Sequence, residues 1–145
     1  MPLLPRKGSL AIAAVIDVAL QGQGHPISAK TLAAHHGLPP RHLEPVLQAL
    51  VRDGILKGVR GPRGGYELAR DRRRVTANDI LRAAGTVDEI DSAPGGSELL
   101  TKVVLSALSN AELEFGIALS RISVDDMARS AEALKLPTGG SLRRA

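Results

Sequence analysis

A mainly α-helical fold carrying one small β-hairpin is what the sequence predicts, on three observations. Apolar residues recur at three- and four-residue spacing over most of the chain, the period of helices with one buried face. Two stretches of strand character flank Gly61-Pro62-Arg63-Gly64-Gly65, a turn sequence. The apolar residues are almost all Leu, Ile, Val and Ala, with Tyr66 and Phe115 the only aromatics, a composition suited to closely packed helices.

The elements follow in order. A first helix is expected from Ser9, a possible cap, to Gln21, with Leu10, Ala13, Ala14, Val15 and Val18 on its apolar face and Gly22 and Gly24 stopping it. Ser28 caps the next helix, which runs to His36 and ends at Gly37. After Leu38-Pro39-Pro40 a third helix is expected from about Arg41 to Asp53, with Leu43, Val46, Leu47, Leu50 and Val51 forming one buried stripe. Pro45 lies near its start, where a missing donor is expected to distort little. Ile55–Arg60 and Tyr66–Ala69 are the hairpin strands. Arg72-Arg73-Arg74 reads as a solvated linker. Thr76, with Asp79 three residues on, opens a short helix that Gly85 is expected to end.

The composition then changes. Residues 86–97 are acidic and break at Pro94-Gly95-Gly96, a loop or linker. Glu98 to about Ile122 contains no proline and is expected to be one long helix, too apolar to stand alone on so small a domain. It either packs back or pairs with a second chain, and pairing is the favoured reading. Leu100, Val103, Val104, Leu108, Phe115 and Leu119 are the expected dimer-interface residues. Ser123 and Asp126 mark a last short helix, docked by Met127, Ala128, Ala131 and Leu134. The expected organisation is therefore a domain over residues 1–85, a loop over 86–97, a helical dimerisation region over 98–136 and a disordered tail over 137–145.

Charge and composition narrow the function. Residues 1–75 hold 12 Lys and Arg against 5 Asp and Glu, whereas residues 76–145 hold 7 against 10. A basic N-terminal half suits contact with a polyanion. The chain has no cysteine, which excludes disulfides, thiolate-bound zinc and thiolate-bound iron–sulfur clusters. No uninterrupted apolar run approaches the roughly 18 residues of a membrane span. Arg6 and Lys7 precede an apolar stretch, but Asp17 interrupts it, so the reading is a cytoplasmic protein with no membrane partner.

The second and third helices are joined by about four residues beginning with Gly37, the spacing of a helix-turn-helix. A hairpin directly after it completes a winged helix. The first residues of the third helix, Arg41, His42 and Glu44, are the candidates for base edges, since Arg pairs with guanine and Glu accepts from cytosine. Ser28, Lys30 and Thr31 are candidates for DNA contacts at the start of the preceding helix, Lys30 and Thr31 to phosphate. Arg60 and Arg63 are placed in the wing, where a minor groove favours arginine.

This order of parts resembles the Rrf-two family of bacterial transcriptional regulators. The matching stretches are Ser28-Ala29-Lys30-Thr31-Leu32-Ala33, His42-Leu43-Glu44-Pro45-Val46-Leu47 and Val59-Arg60-Gly61-Pro62-Arg63-Gly64-Gly65-Tyr66-Glu67-Leu68-Ala69, the last the most specific. The resemblance covers residues 8–85 and implies a winged helix-turn-helix with a long C-terminal dimerisation helix. It further implies a homodimer that crosses its long helices and binds double-stranded DNA at a near-palindromic operator. Cluster-binding members carry three cysteines in the loop before the long helix; this chain has none, so the usual cluster cannot form.

His35 and His36 are helical neighbours expected to point about 100° apart and to chelate poorly, and no metal site or cofactor is predicted. No nucleophile elbow, phosphate loop or paired carboxylates point to an enzyme. The sequence therefore reads as a sequence-specific DNA-binding regulator, a repressor by expectation, acting as a homodimer. An unidentified small-molecule effector is a further partner the reading allows. The alternative is a winged-helix module that binds another protein.

Overall fold

The computed structural model describes residues 6–22, 25–89 and 97–136. The element order is α1 (Arg6–Gln21), α2 (Ala29–His35), α3 (Pro40–Arg52), β1 (Leu56–Val59), β2 (Gly65–Leu68), α4 (Ala77–Glu89), α5 (Leu105–Ser120) and α6 (Val124–Leu134). A 3₁₀ turn, Arg72–Arg74, precedes α4, and a π-helical segment, Leu99–Val104, runs into α5. The expected tail over 137–145 lies outside the described residues.

The caps foreseen from the sequence organise three of the six α-helix starts described. Ser28 Oγ accepts from Thr31 N at 3.1 Å and opens α2. Thr76 and Asp79 form a reciprocal box, each backbone N–H donating to the other's side chain at 3.1 Å. Ser123 and Asp126 repeat it at the start of α6. Each such cap is worth about 1 kcal/mol. The first helix differs: it begins at Arg6, so Ser9 lies inside it rather than capping it.

The turn between α2 and α3 depends on Gly37, whose φ of 66° is left-handed and favours glycine. Pro40 then takes the first position of α3, where a missing N–H costs nothing. Pro45 is the sixth residue of α3, beyond the four donors that lack a helical partner. The expected harmlessness therefore does not come from an orphan donor; the helix passes through Pro45 and leaves the Arg41 carbonyl without its usual partner.

β1 and β2 pair antiparallel, Leu56 opposite Leu68 and Val59 opposite Gly65. A third extended segment joins them. Ile27 and Tyr66 exchange two backbone hydrogen bonds, at 2.9 and 2.8 Å. That approach needs Gly65: a Cβ there would sit 2.3 Å from the Ile27 carbonyl oxygen.

One hydrophobic core unites these parts. Val15 and Val18 of α1, Leu32 of α2, Leu43, Leu47 and Leu50 of α3, Leu56 of β1 and Ile80 of α4 are buried together with Ile55 and Val75, which lie between elements. Val124 of α6 belongs to the same core. Val124 N donates to Val75 O at 2.7 Å, and Ala77 N donates to Ile122 O at 2.8 Å. The chain thus returns after α5 and docks α6 on the N-terminal body, where the sequence had grouped α6 with the dimerisation region. Ala128 is buried in that docking, while Leu134 stays exposed.

Two further boundaries move. Gly85 does not end α4, which continues to Glu89. A helical glycine costs only about 1 kcal/mol against alanine, and its site is open, with nothing within 4 Å of a Cβ placed there. Residues 86–89 are therefore helix rather than loop, and residues 90–96 lie outside the described residues. Arg72 is not a solvated linker residue: its Nε donates to Asp125 Oδ1 at 2.7 Å, fastening the 3₁₀ turn to α6.

Candidate nucleic-acid interface

α3 is strongly two-sided. Leu43, Val46, Leu47 and Leu50 face the core, and Arg41, His42, Glu44 and Gln48 face solvent. This split follows from the 3.6-residue period. The three residues expected to read bases are thus presented together at the start of the helix. Gln48 extends the row by one turn; the sequence reading missed it, although its four-residue spacing from Glu44 was the signal. Glutamine has the amide geometry that pairs with adenine.

Arg60 and Arg63 are exposed in the five-residue loop joining β1 to β2, and Lys57 is exposed on β1. Among the described residues, Arg41, Arg60 and Arg63 carry no ion pair. The wing does not float. Gly65, at its base, lies against Ile27 and Ser28, so the wing abuts the start of α2. Lys30 is exposed on the first turn of α2. Ser28 and Thr31 are held by one another, the Ser28 hydroxyl donating to Thr31 Oγ1 at 2.9 Å while its oxygen caps the helix. The proton of Thr31 remains for an outside acceptor, whereas Ser28 is committed to the cap.

Beyond the 3₁₀ turn the arginines divide. Arg72 is tied to Asp125 and Glu132 of α6, and Arg73 to Asp71 at 2.8 Å. The Arg72 guanidinium, by its hydrogen bond, holds the Asp125 carboxyl below the usual carboxylate range.

The long helical stretch shows an apolar surface to solvent. Leu100, Val103 and Val104 are exposed, Leu108 is 51% exposed and Phe115 37%. Leu119 differs from the other expected interface residues: at 8% exposure it is buried by its own chain, close to where α5 ends against the core. Leu99–Ser120 is also, by length and composition alone, long and apolar enough to cross a membrane, contrary to what the run of residues suggested. Lys102, Glu112 and Glu114 lie within it, and a charge at a bilayer centre costs about 2.5–3.5 kcal/mol.

His35 and His36 do not diverge as expected. α2 stops at His35, and His36 takes a non-helical backbone, φ −100° and ψ 8°. The rings lie with centroids 5.1 Å apart, and both approach Asp17 of α1.

Helix, glycine turn, helix and an arginine-tipped hairpin packed on one core define a winged helix-turn-helix, the architecture of DNA-binding transcriptional regulators. The family model of the Rrf2 (Rrf-two) group, described as an iron-dependent transcriptional regulator, matches residues 4–130, and the chain belongs to this family. The HTH-type transcriptional regulator IscR of Xenorhabdus nematophila is 31% identical over 137 residues, covering 90% of this chain and 82% of the relative. The structure of T. potens IscR superposes with a TM-score of 0.71 at 28% identity, covering 94% of this chain and 93% of that one. CymR, the global cysteine regulator of B. subtilis, gives 0.66 at 25% identity over 90% of this chain and 98% of its own. These relatives are transcriptional regulators rather than enzymes. The family description implies iron, but a cluster held by cysteine thiolates does not fit a chain without cysteine.

Proposed function

We propose that this regulator is a cytoplasmic repressor that binds a near-palindromic operator as a homodimer. The observation that carries this reading is the two-sided α3, with Arg41, His42, Glu44 and Gln48 in one exposed row above a fully buried stripe. Each subunit lays that row in a major groove, Arg41 on guanine and Glu44 on a cytosine amine. Lys30 supplies charge, and the Thr31 hydroxyl a donor, to the flanking phosphates. Arg60 and Arg63 enter the adjoining minor groove, whose negative potential favours arginine.

One helix and one wing make few contacts, so affinity requires two half-sites held together. The exposed apolar residues Leu100, Val103, Val104, Leu108 and Phe115 support pairing through the long helix. A second copy covers them without burying Lys102, Glu112 and Glu114 in hydrocarbon.

The test is fluorescence anisotropy with a duplex from the upstream region of the protein's own gene, across a salt series and against a scrambled duplex. Preference for the native duplex is expected, with affinity falling about 10³–10⁵-fold between 50 and 200 mM salt if 6–10 phosphates are neutralised. Affinity for protein but not for DNA, with little response to salt, assigns the same surface to a protein partner and overturns the proposal.

A further inference from the structure

We propose that Asp17, His35 and His36 form a binding site for one divalent transition-metal ion of the zinc or ferrous class. Their ligand atoms, one from each residue, all lie within 4.8 Å of one another. Asp17 comes from the middle of α1, and the two histidines from the end of α2. α2 ends at His35, His36 is its C-cap, and both imidazoles lie against Asp17.

Three observations distinguish this cluster from a plain ion pair. Asp17 is only 4% exposed, a charge set among the apolar residues of α1, where a buried charge needs pairing or a metal. His35 Nδ1 bonds its Oδ2 atom and accounts for one partner. His36 Nε2 lies 3.2 Å from the same oxygen, yet it is buried and makes no hydrogen bond. The distance is right and the direction is wrong, so the nitrogen is aimed beside the carboxylate rather than at it. Donors bonded to one metal at about 2.0–2.2 Å stand about 3–3.5 Å apart; the His36–Asp17 spacing falls in that interval, whereas His35 Nδ1 is bonded directly to the carboxylate and has to release that hydrogen bond to the ion.

The surroundings suit the same chemistry. Asp17 Oδ1 accepts from Gln21 Nε2 at 3.0 Å, an outer hydrogen bond of the kind that orients a ligating carboxylate. The His35 and His36 side chains keep 15% and 21% of their surface exposed, which leaves an entry path and room for water to complete the shell. Two imidazoles and one carboxylate favour zinc, ferrous iron, cobalt or nickel over calcium and magnesium, which prefer all-oxygen sites. A bound ion would fasten the end of α2 to α1 immediately before the Gly37 turn that leads into α3.

The experiment is a Co2+ titration of chelator-stripped protein in the absence of DNA, followed by visible absorption, with Zn2+ then added in competition. It does not depend on DNA binding, so its failure leaves the proposed function untouched. One Co2+ per chain is expected, displaced by Zn2+, with affinity at least about tenfold weaker in His36→Gln and Asp17→Asn. His36→Gln changes a partly exposed residue and is expected to keep the native circular dichroism, which guards against misfolding of the Asp17 variant. No Co2+ spectrum at about 0.1 mM free metal, which fills about nine-tenths of a site with a Kd of about 10 µM, overturns the proposal. Undiminished affinity in His36→Gln overturns it equally, leaving Asp17 and His35 as a structural ion pair.

Discussion

Arg63 stands at the tip of the wing with no ion pair among the described residues, and its proposed work is charge and groove fit rather than base recognition. Arg63→Ala is therefore expected to weaken binding to operator and random duplex alike, and to lower the slope of log affinity against log salt by about 1. Unchanged affinity in anisotropy removes the wing from the interface. Gln48 is expected to act differently. Gln48→Ala should lose about 1–3 kcal/mol of discrimination at one base pair and little on random DNA, measured by competition among single-base operator variants. The exposure of Arg41, His42 and Glu44 was legible because the stripe of Leu43, Val46, Leu47 and Leu50 fixes which face of α3 is free. The meeting of His35 and His36 was not legible. It rests on Asp17, 18 residues before His35, a partner that local spacing does not reveal.

At the scale of elements, helix starts were easier to read than helix ends. Ser28, Thr76 and Ser123 cap as their side-chain chemistry predicts. Gly85 misled because a glycine lowers helix stability without stopping the helix, and α4 continues to Glu89. The docking of α6 also went unread, since the partners Arg72 and Asp125 are 53 residues apart. That pair carries a pH dependence with a definite sign. The folded state holds the Asp125 carboxyl below its ordinary value, so its stabilisation is complete above that ordinary value, near 4. It is lost as pH falls through the lowered folded value. Thermal unfolding followed from neutral to acid pH should show a decline in the acid limb that is smaller in Asp125→Asn. An identical decline in both proteins takes the pair out of the acid response.

At the scale of the whole molecule, the apolar side of the long helix requires a cover. Val104→Asp or Leu108→Asp is expected to give monomers by light scattering, with poor operator affinity but intact helical content. A variant that remains dimeric moves the interface elsewhere. The sequence made this surface visible through the spacing of Leu100, Val103, Val104 and Leu108. It did not reveal that Leu119 is buried by its own chain, because a periodic stripe does not say which part is covered from within. Among the described residues α5 meets the body near its C-terminal end, where a Cβ on Gly116 would lie 3.5 Å from the Asn78 side chain of α4 and Leu119 is buried, while Leu100, Val103, Val104 and Leu108 stay exposed.

The close contact of Gly65 with Ile27 has a bearing on how a duplex is recognised. With its base hydrogen-bonded through Tyr66 to Ile27, just before α2, the wing is held there against a swing to a groove of a different width. Adjustment falls to the double helix, whose cost of narrowing, twisting or bending depends on its base steps. Operators of this regulator should therefore be selected at base pairs that no side chain reaches, between the major-groove row and the wing, in favour of steps that yield easily.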